Sequence, residues 1–236
     1  MPDLAPTIDG YIAKHNQSTW AAARDATSGT ANTSLNRHSG AVQAKKAAAR
    51  GGGHVYSVYR SFFEFDTSGI SVTPTDATLK IHGYNFGNAD MFLVKANTAT
   101  DGAIANADFD AIVGWSTGAD NSSNVTKYSD EITTWNTVGV TVNNITLNAA
   151  ALTSMVDDDV IKFCLIESTK DLTNTEPSDT TLNQSGLHFQ EYTGTTYDPI
   201  LSYTVGYGNS VMGVASGDIS EVIDVATANI SKVNGV

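Results

Sequence analysis

Aromatic residues set beside small polar stretches are the side chains of this 236-residue chain whose types and spacing suggest chemistry with a ligand. Trp115 and Tyr128 flank a Gly/Asn/Ser-rich stretch, and Trp135 follows Asp130-Glu131. A flat, partly apolar ring suits the face of a pyranose, so these three are the candidate glycan-binding residues. Trp20, Tyr192 and Tyr197 are further stacking candidates. The alternative is that such rings pack loops onto a core.

Catalytic patterns do not stand out. The five His (15, 38, 54, 82 and 188) lack the spacing of an HExxH zinc site, and there is no G-x-S-x-G nucleophile elbow. No pair of the 25 Asp and Glu residues is marked as a glycosidase acid and base. Gly51–Gly53 lacks the Lys-Ser/Thr of a phosphate loop. Asp157–Asp159 has the carboxylate density that calcium takes, with a solvated turn as the alternative. The expectation is a protein that is not an enzyme and has no cofactor, calcium being the one ion with a candidate site.

Composition narrows the class. The net charge is −12, which argues against nucleic acid as a partner. It is unevenly spread: residues 1–60 hold seven Lys/Arg and three Asp, a net +4, and the remainder holds six against 22, a net −16. The basic quarter suits an acidic neighbour, or reflects chance on solvated strands. Cys164 is the sole cysteine, so no internal disulfide forms, and its place in the apolar run VIKFCLI implies a buried thiol. The start MPDLAPTIDG lacks a basic n-region and an apolar h-region, and no run approaches the ~18 apolar residues of a membrane span. The expected chain is therefore made in the cytosol or is a mature form that has lost a leader, and does not enter a membrane.

Thr, Ser, Asn, Gly and Ala abound, which favours short strands with polar faces. The organising stretch is YSVYRSFFEFDTSG, Tyr56–Gly69. Alternation puts Tyr59, Phe63 and Phe65 on one face and Val58, Arg60, Phe62 and Glu64 on the other, a strand buried on at least one side. Further strands are expected at Ile8–Lys14, Thr19–Arg24, Ala41–Arg50, Ala77–Tyr84, Ala89–Ala96, Val138–Leu147, Val160–Glu167, Leu187–Tyr192 and Pro199–Val205. A bend or bulge is expected where the alternation slips at Asn143-Asn144. Asn148 N-caps a short helix, Ala149–Met155. Asp25–Gly40, Asp101–Asn124 and Ser168–Ser185 read as loops, the second with a helical turn near its start. Eight to ten short strands at this spacing define an all-β fold, a β-sandwich of jelly-roll type. It spans 8–205, after an N-terminal extension, 1–7, and before a hinge and tail, 206–236.

The order of motifs resembles the carbohydrate-binding-module-like jelly rolls known as DNRLRE domains. The residues are Asp9-Gly10-Tyr11, then Tyr59-Arg60 running into Phe65-Asp66-Thr67-Ser68, Ala77–Leu79, Thr146–Leu152, Phe189 with Glu191, and Pro199, Leu201 and Tyr203. The resemblance implies a non-catalytic binding or structural module in which the strand arginine is structural. A buried guanidinium needs a carboxylate, and Glu191 is the first candidate partner of Arg60, Glu64 the second.

The tail repeats with a period of eleven. VMGVASGDISE (211–221) aligns with VIDVATANISK (222–232) and then VNGV (233–236). Val211, Val222 and Val233 coincide, as do Val214, Val225 and Val236, and Ile219 coincides with Ile230. The ending ATANISKVNGV resembles those of structural proteins of tailed phages. The resemblance implies a structural, decoration or appendage protein of a virion, assembled in the host cytoplasm. The partners implied are other virion proteins and further copies of the chain, a trimer among the options. The alternative is a carbohydrate-binding module for a bacterial surface polysaccharide. An eleven-residue period permits a right-handed helical supercoil, but Val, Ile and Gly with tight-turn dipeptides favour short extended segments joined by turns.

Overall fold

A computed structural model of the chain describes residues 2–138, 141–178, 183–190, 196–206, 221–222 and 225–226. The fold is an all-β sandwich built around β5 (His54–Asp66), the strand that the others flank. Along one side it pairs with β2 (Ile8–Gln17), from Ile8↔Glu64 to Gln17↔Tyr56. Its other side is shared. The N-terminal half takes β4 (Arg37–Ala48), and the C-terminal half takes β9 (Val160–Glu167), through Ser61↔Leu165 to Asp66↔Val160. Short β3 (Thr30–Asn32) extends this sheet beyond β2, and β7 (Met91–Lys95) extends it beyond β9.

The second sheet is organised by β6 (Pro74–Gly87). It carries β11 (Ile200–Val205) and, beyond that, β1 (Asp3–Leu4), with β8 (Val142–Thr146) also paired to it. The residues ahead of Ile8 thus supply a strand to this sheet. The two sheets are joined by β10 (Asn183–His188), which hydrogen-bonds both to β4 and to the end of β6. This gives one antiparallel network of 11 strands, folded over on itself. The small alanine side chains of β4 suit this crossing. Ala41 and Ala44 are fully buried, and strand pairing overrides the helical preference of an alanine run too short to hold a helix alone.

Between the sheets lies the main core, with Phe63 and Phe65 of β5, Leu79 and Ile81 of β6, Phe163 and Leu165 of β9, Leu187, Phe189 and Leu201. The opposite face of β5 is also buried. Val58 and Phe62 join Ile12, Val94, Cys164, Ile166, Phe109 and Leu172 in a second cluster. A layer of loops covers it, made of α1 (Trp20–Arg24), the stretch from 97 to 126 with a 3₁₀ turn at Asn106–Asp108, and a π-helical turn at Ser168–Leu172. Each large apolar side chain buried on this face contributes ~1.5–3 kcal/mol. Burial pushes the Cys164 thiol well above its ordinary pKa, so it is an inert core residue.

Several expected elements differ. Thr19–Arg24 is a helix start, not a strand. The Thr19 hydroxyl accepts the Ala22 N–H as an N-cap, and three alanines follow. The 25–40 loop contains β3 and the start of β4, and the 168–185 loop contains the π-helical turn and the start of β10. β8 runs without a bulge. The alternation slips because Asn143 takes an inward position beside Ile145 and spends its amide on the backbone of Asn136 and on the Ile81 carbonyl. The irregularity lies instead in β10 between Ser185 and Leu187. There Gly186 is obligatory, since a Cβ would sit 1.8 Å from the Tyr84 carbonyl oxygen. Helix α2 (Ala149–Asp157) begins at Asn148, whose side chain accepts the Ala151 N–H.

Candidate functional site

The charged residues that β5 sends outward are enclosed by the loop layer. Arg60 is fully buried, and its carboxylate is Asp171. Nε donates to Oδ2 at 2.8 Å and Nη2 donates to Oδ1 at 2.7 Å. Nη1 donates to the Phe109 carbonyl at 2.8 Å, and Nη2 also donates to the Arg24 carbonyl at 3.1 Å. The guanidinium carbon lies 4.3 Å from the Phe109 ring centre and 4.1 Å from that of Trp115. Glu191, the expected partner, lies outside the described residues. Glu64 is committed elsewhere: it accepts from the Thr98 hydroxyl and from the Gly102 N–H, pinning the start of the covering loop.

Asp171 is presented by the π-helical turn, which Glu167 holds in place. The Glu167 carboxylate accepts the N–H groups of Thr169, Lys170 and Asp171 at 3.0, 2.7 and 2.8 Å. Burial raises the Glu167 carboxyl pKa, and the hydrogen bonds from Thr169, Lys170 and Asp171 oppose that rise. Arg24 completes the cluster. It donates to the carbonyls of Asp171 and Ala119 and to the carboxylate of Asp25, and its guanidinium lies 4.4 Å from the Trp115 ring centre. Burial lowers the Arg24 pKa, Asp171 and Asp25 oppose that, and the residue stays cationic. The network ties α1, the 97–126 loops and the π-helical turn to the sheet.

The aromatic candidates are part of this internal masonry. Trp115 lies against Arg24 and Arg60. Tyr128 is fully buried between α2 and β9, its hydroxyl donating to Ser154 at 2.7 Å and its ring edge-on to Phe163. Trp135 crosses β6 where Gly83 and Gly87 leave room, and its Nε1 donates to the Gly186 carbonyl at 3.0 Å. The three are distributed over separate places and form no common platform. Trp20 is likewise buried, donating to Asn174 at 3.1 Å. Asp158, central in the Asp157–Asp159 run, pairs with Lys95 at 2.8 Å, and its carbonyl accepts the Thr67 hydroxyl. Among the described residues no group of three or more His, Cys, Asp or Glu is placed to hold a metal ion.

An open groove lies at an edge of the sandwich. Residues 129–134 run beside β7, with Met91 and Ile132 exchanging backbone hydrogen bonds, and β8 borders the other sheet. Between them is a groove of about 470 Å³ lined by Ser129–Thr134 and Val142–Thr146. Its lining is mostly hydroxyl, amide and carboxylate, groups that hydrogen-bond a partner. The sequence signal was two short polar strings, SDEITT and VNNIT, brought together only by the tertiary fold.

In the tail, β12 (Glu221–Val222) pairs antiparallel with β13 (Val225–Ala226), with Val222 opposite Val225. Val211, Val214, Ile219, Ile230, Val233 and Val236 lie outside the described residues. Among the described residues no helix is long and apolar enough to cross a membrane. No protein-family model matches the chain, and no curated protein matches it.

Proposed function

We propose that this chain is a non-enzymatic structural or appendage protein of a tailed-phage particle, a jelly-roll-type sandwich whose C-terminal repeats serve assembly with other virion proteins and with further copies of itself. The observation that carries the reading is the tail. Where the first repeat meets the second, Glu221–Val222 pairs antiparallel with Val225–Ala226, and Val222 and Val225 are the two valines that recur in the repeats on either side. Short apolar hairpins of this kind cannot bury their own side chains, and stacking on a partner supplies the missing cover. The sandwich supports the same reading. Its buried charges are spent on fixing loops to a sheet, as in a rigid scaffold.

The test is mass spectrometry and labelled-antibody imaging of purified particles, together with incubation of the protein with a panel of bacterial polysaccharides. The expected result is a stoichiometric particle component that leaves the polysaccharides intact. Depolymerisation would refute the non-enzymatic reading. Absence from particles combined with tight polysaccharide binding would replace it with a glycan-binding module.

A further inference from the structure

We propose that the groove between residues 129–134 and β8 receives the tip of the β4–β5 hairpin of a second copy of this chain. The proposal rests on the assembly reading and names a contact that the tail does not make. The groove is held open by bonds within the chain. Ser129 Oγ donates to the Asp130 carbonyl and accepts the Leu93 N–H, Asn143 is tied to Asn136, and Glu131 accepts the Ser168 hydroxyl. Above this floor the side chains of Asp130, Thr133, Thr134, Asn144 and Thr146 are exposed and make no hydrogen bond among the described residues. The charged residues lining the groove, Asp130 and Glu131, are both acidic. Lys80 of β6 is opposite Asn144 in the strand register.

The hairpin has the complementary character. β4 and β5 stay paired as far as Ala48↔His54, and the turn is closed by the Ala49 N–H on the Gly53 carbonyl at 3.1 Å. Gly51, Gly52 and Gly53 have φ of +97°, +98° and +79°, and nothing lies within 4 Å of where their Cβ atoms would be. The tip is therefore bare backbone standing clear of its own chain, able to approach a second backbone closely. Arg50 stands at the tip and Lys45 three pairs back along β4, opposite Ser57; neither makes an ion pair among the described residues, whereas Lys46, Lys95 and Lys162 are each paired with a carboxylate. A guanidinium on a flexible stem matches the free carboxylate of Asp130. Tip and groove lie at different places on the chain, so the contact is head-to-tail and propagates into a ring or a filament.

The experiment is sedimentation velocity on three full-length proteins: the native chain, a tip variant (Lys45→Glu with Arg50→Glu) and a groove variant (Asp130→Lys with Thr134→Lys). The native chain should associate further at about 20 mM salt than near 1 M salt, where the screening length falls to ~3 Å and any apolar contact made by the tail is left in place. Each variant alone should need at least about tenfold more protein to associate. An equimolar mixture should regain association, because the acidic tip of one now meets the basic groove of the other. Three results would overturn the proposal: a native chain that stays monomeric at low salt, variants that associate as the native chain does, or a mixture that gains nothing. A monomer found in purified particles would overturn this contact and leave the proposed function standing. Rescued association in a protein absent from particles would do the reverse.

Discussion

Replacing Arg60 by Met should cost more than any surface change, and the structure gives the terms. The substitution removes two charge-assisted bonds to Asp171 and two bonds to backbone carbonyls, of Phe109 and Arg24. It leaves the fully buried Asp171 carboxylate with Arg24 as its remaining cation, Nε 3.8 Å from Oδ1. Breaking one side of a buried pair costs ~3–5 kcal/mol, and Arg24 keeps the figure from rising further. For a domain of this size that corresponds to a Tm lower by roughly 6–20 °C. Asp171→Leu should cost a similar amount, since it strands two guanidiniums. The double variant should cost clearly less than the sum, with a coupling of about 2 kcal/mol or more, because the charges of Arg60 and Asp171 leave together and Arg24 keeps its ion pair with Asp25. The assay is urea unfolding of all four proteins, followed by tryptophan fluorescence with Trp115 as reporter beside the cluster. Additive single changes, or an Arg60→Met protein melting within about 2 °C of the native one, would refute the reasoning and mean that water reaches this cluster.

Three further outcomes follow from named geometry. His188 is buried between Tyr84 and Tyr197, and burial, then Arg37 and His82, lowers its pKa from 6.5 to about 4. The unfolded chain therefore takes up this proton before the folded one. Its contribution is fully present above pH ~6.5 and is lost as pH falls towards 4, although the raised carboxyls of Glu167 and Asp198 act in the opposite sense. His188→Gln should flatten the acid limb of a Tm-against-pH curve, and an unchanged limb would mean that His188 does not set it. Gly186→Ala places a methyl 1.8 Å from a backbone oxygen, so it should lower the urea midpoint by the equivalent of ~1–3 kcal/mol or more, with a native-like midpoint as the contrary result. Truncation after Asn209 should leave β-rich circular dichroism and a cooperative melt while abolishing the tail-mediated assembly proposed above. Failure of the truncated chain to fold would place the tail within the core.

The faces of β5 were legible because strand alternation has a period of two, and the residues assigned to each face fall into two separate buried clusters. Val160–Glu167 was legible for a different reason, as the apolar run VIKFCLI of a strand buried along most of its length. Asp171 was not, because it meets Arg60 across 111 positions of chain and sits in a stretch that reads only as polar loop. A local clue existed: Glu167 followed by Ser-Thr-Lys-Asp is an acidic residue ahead of amides it can cap. The packed position of Trp135 could not be told from a ligand-facing one because its slot is made by glycines, at 83 and 87 on another strand, whose meaning depends on what crosses them.

What was not legible shares a physical cause. A sandwich with two sheets has outward faces, and alternation shows which residues point there but not what covers them. The burial of Arg60 could therefore be expected while its partner could not, and rings beside polar loops were open to reading as a ligand surface. Here the loops between β7 and β8, together with α1 and the π-helical turn, lay a third layer over the outer face of the β5 sheet. A loop layer is rich in carbonyl and amide groups, and it can cover a sheet only where those groups find partners. Arg60, Arg24, Glu64, Glu167 and Asp108 are those partners, each bonded to backbone in the covering segments. The aromatic rings fill the space between them. The side chains richest in apparent chemistry were therefore drawn inward by the need to hold the cover down. Asp130, Thr133, Thr134, Asn144 and Thr146, whose side chains make no hydrogen bond among the described residues, are the ones left exposed at the surface.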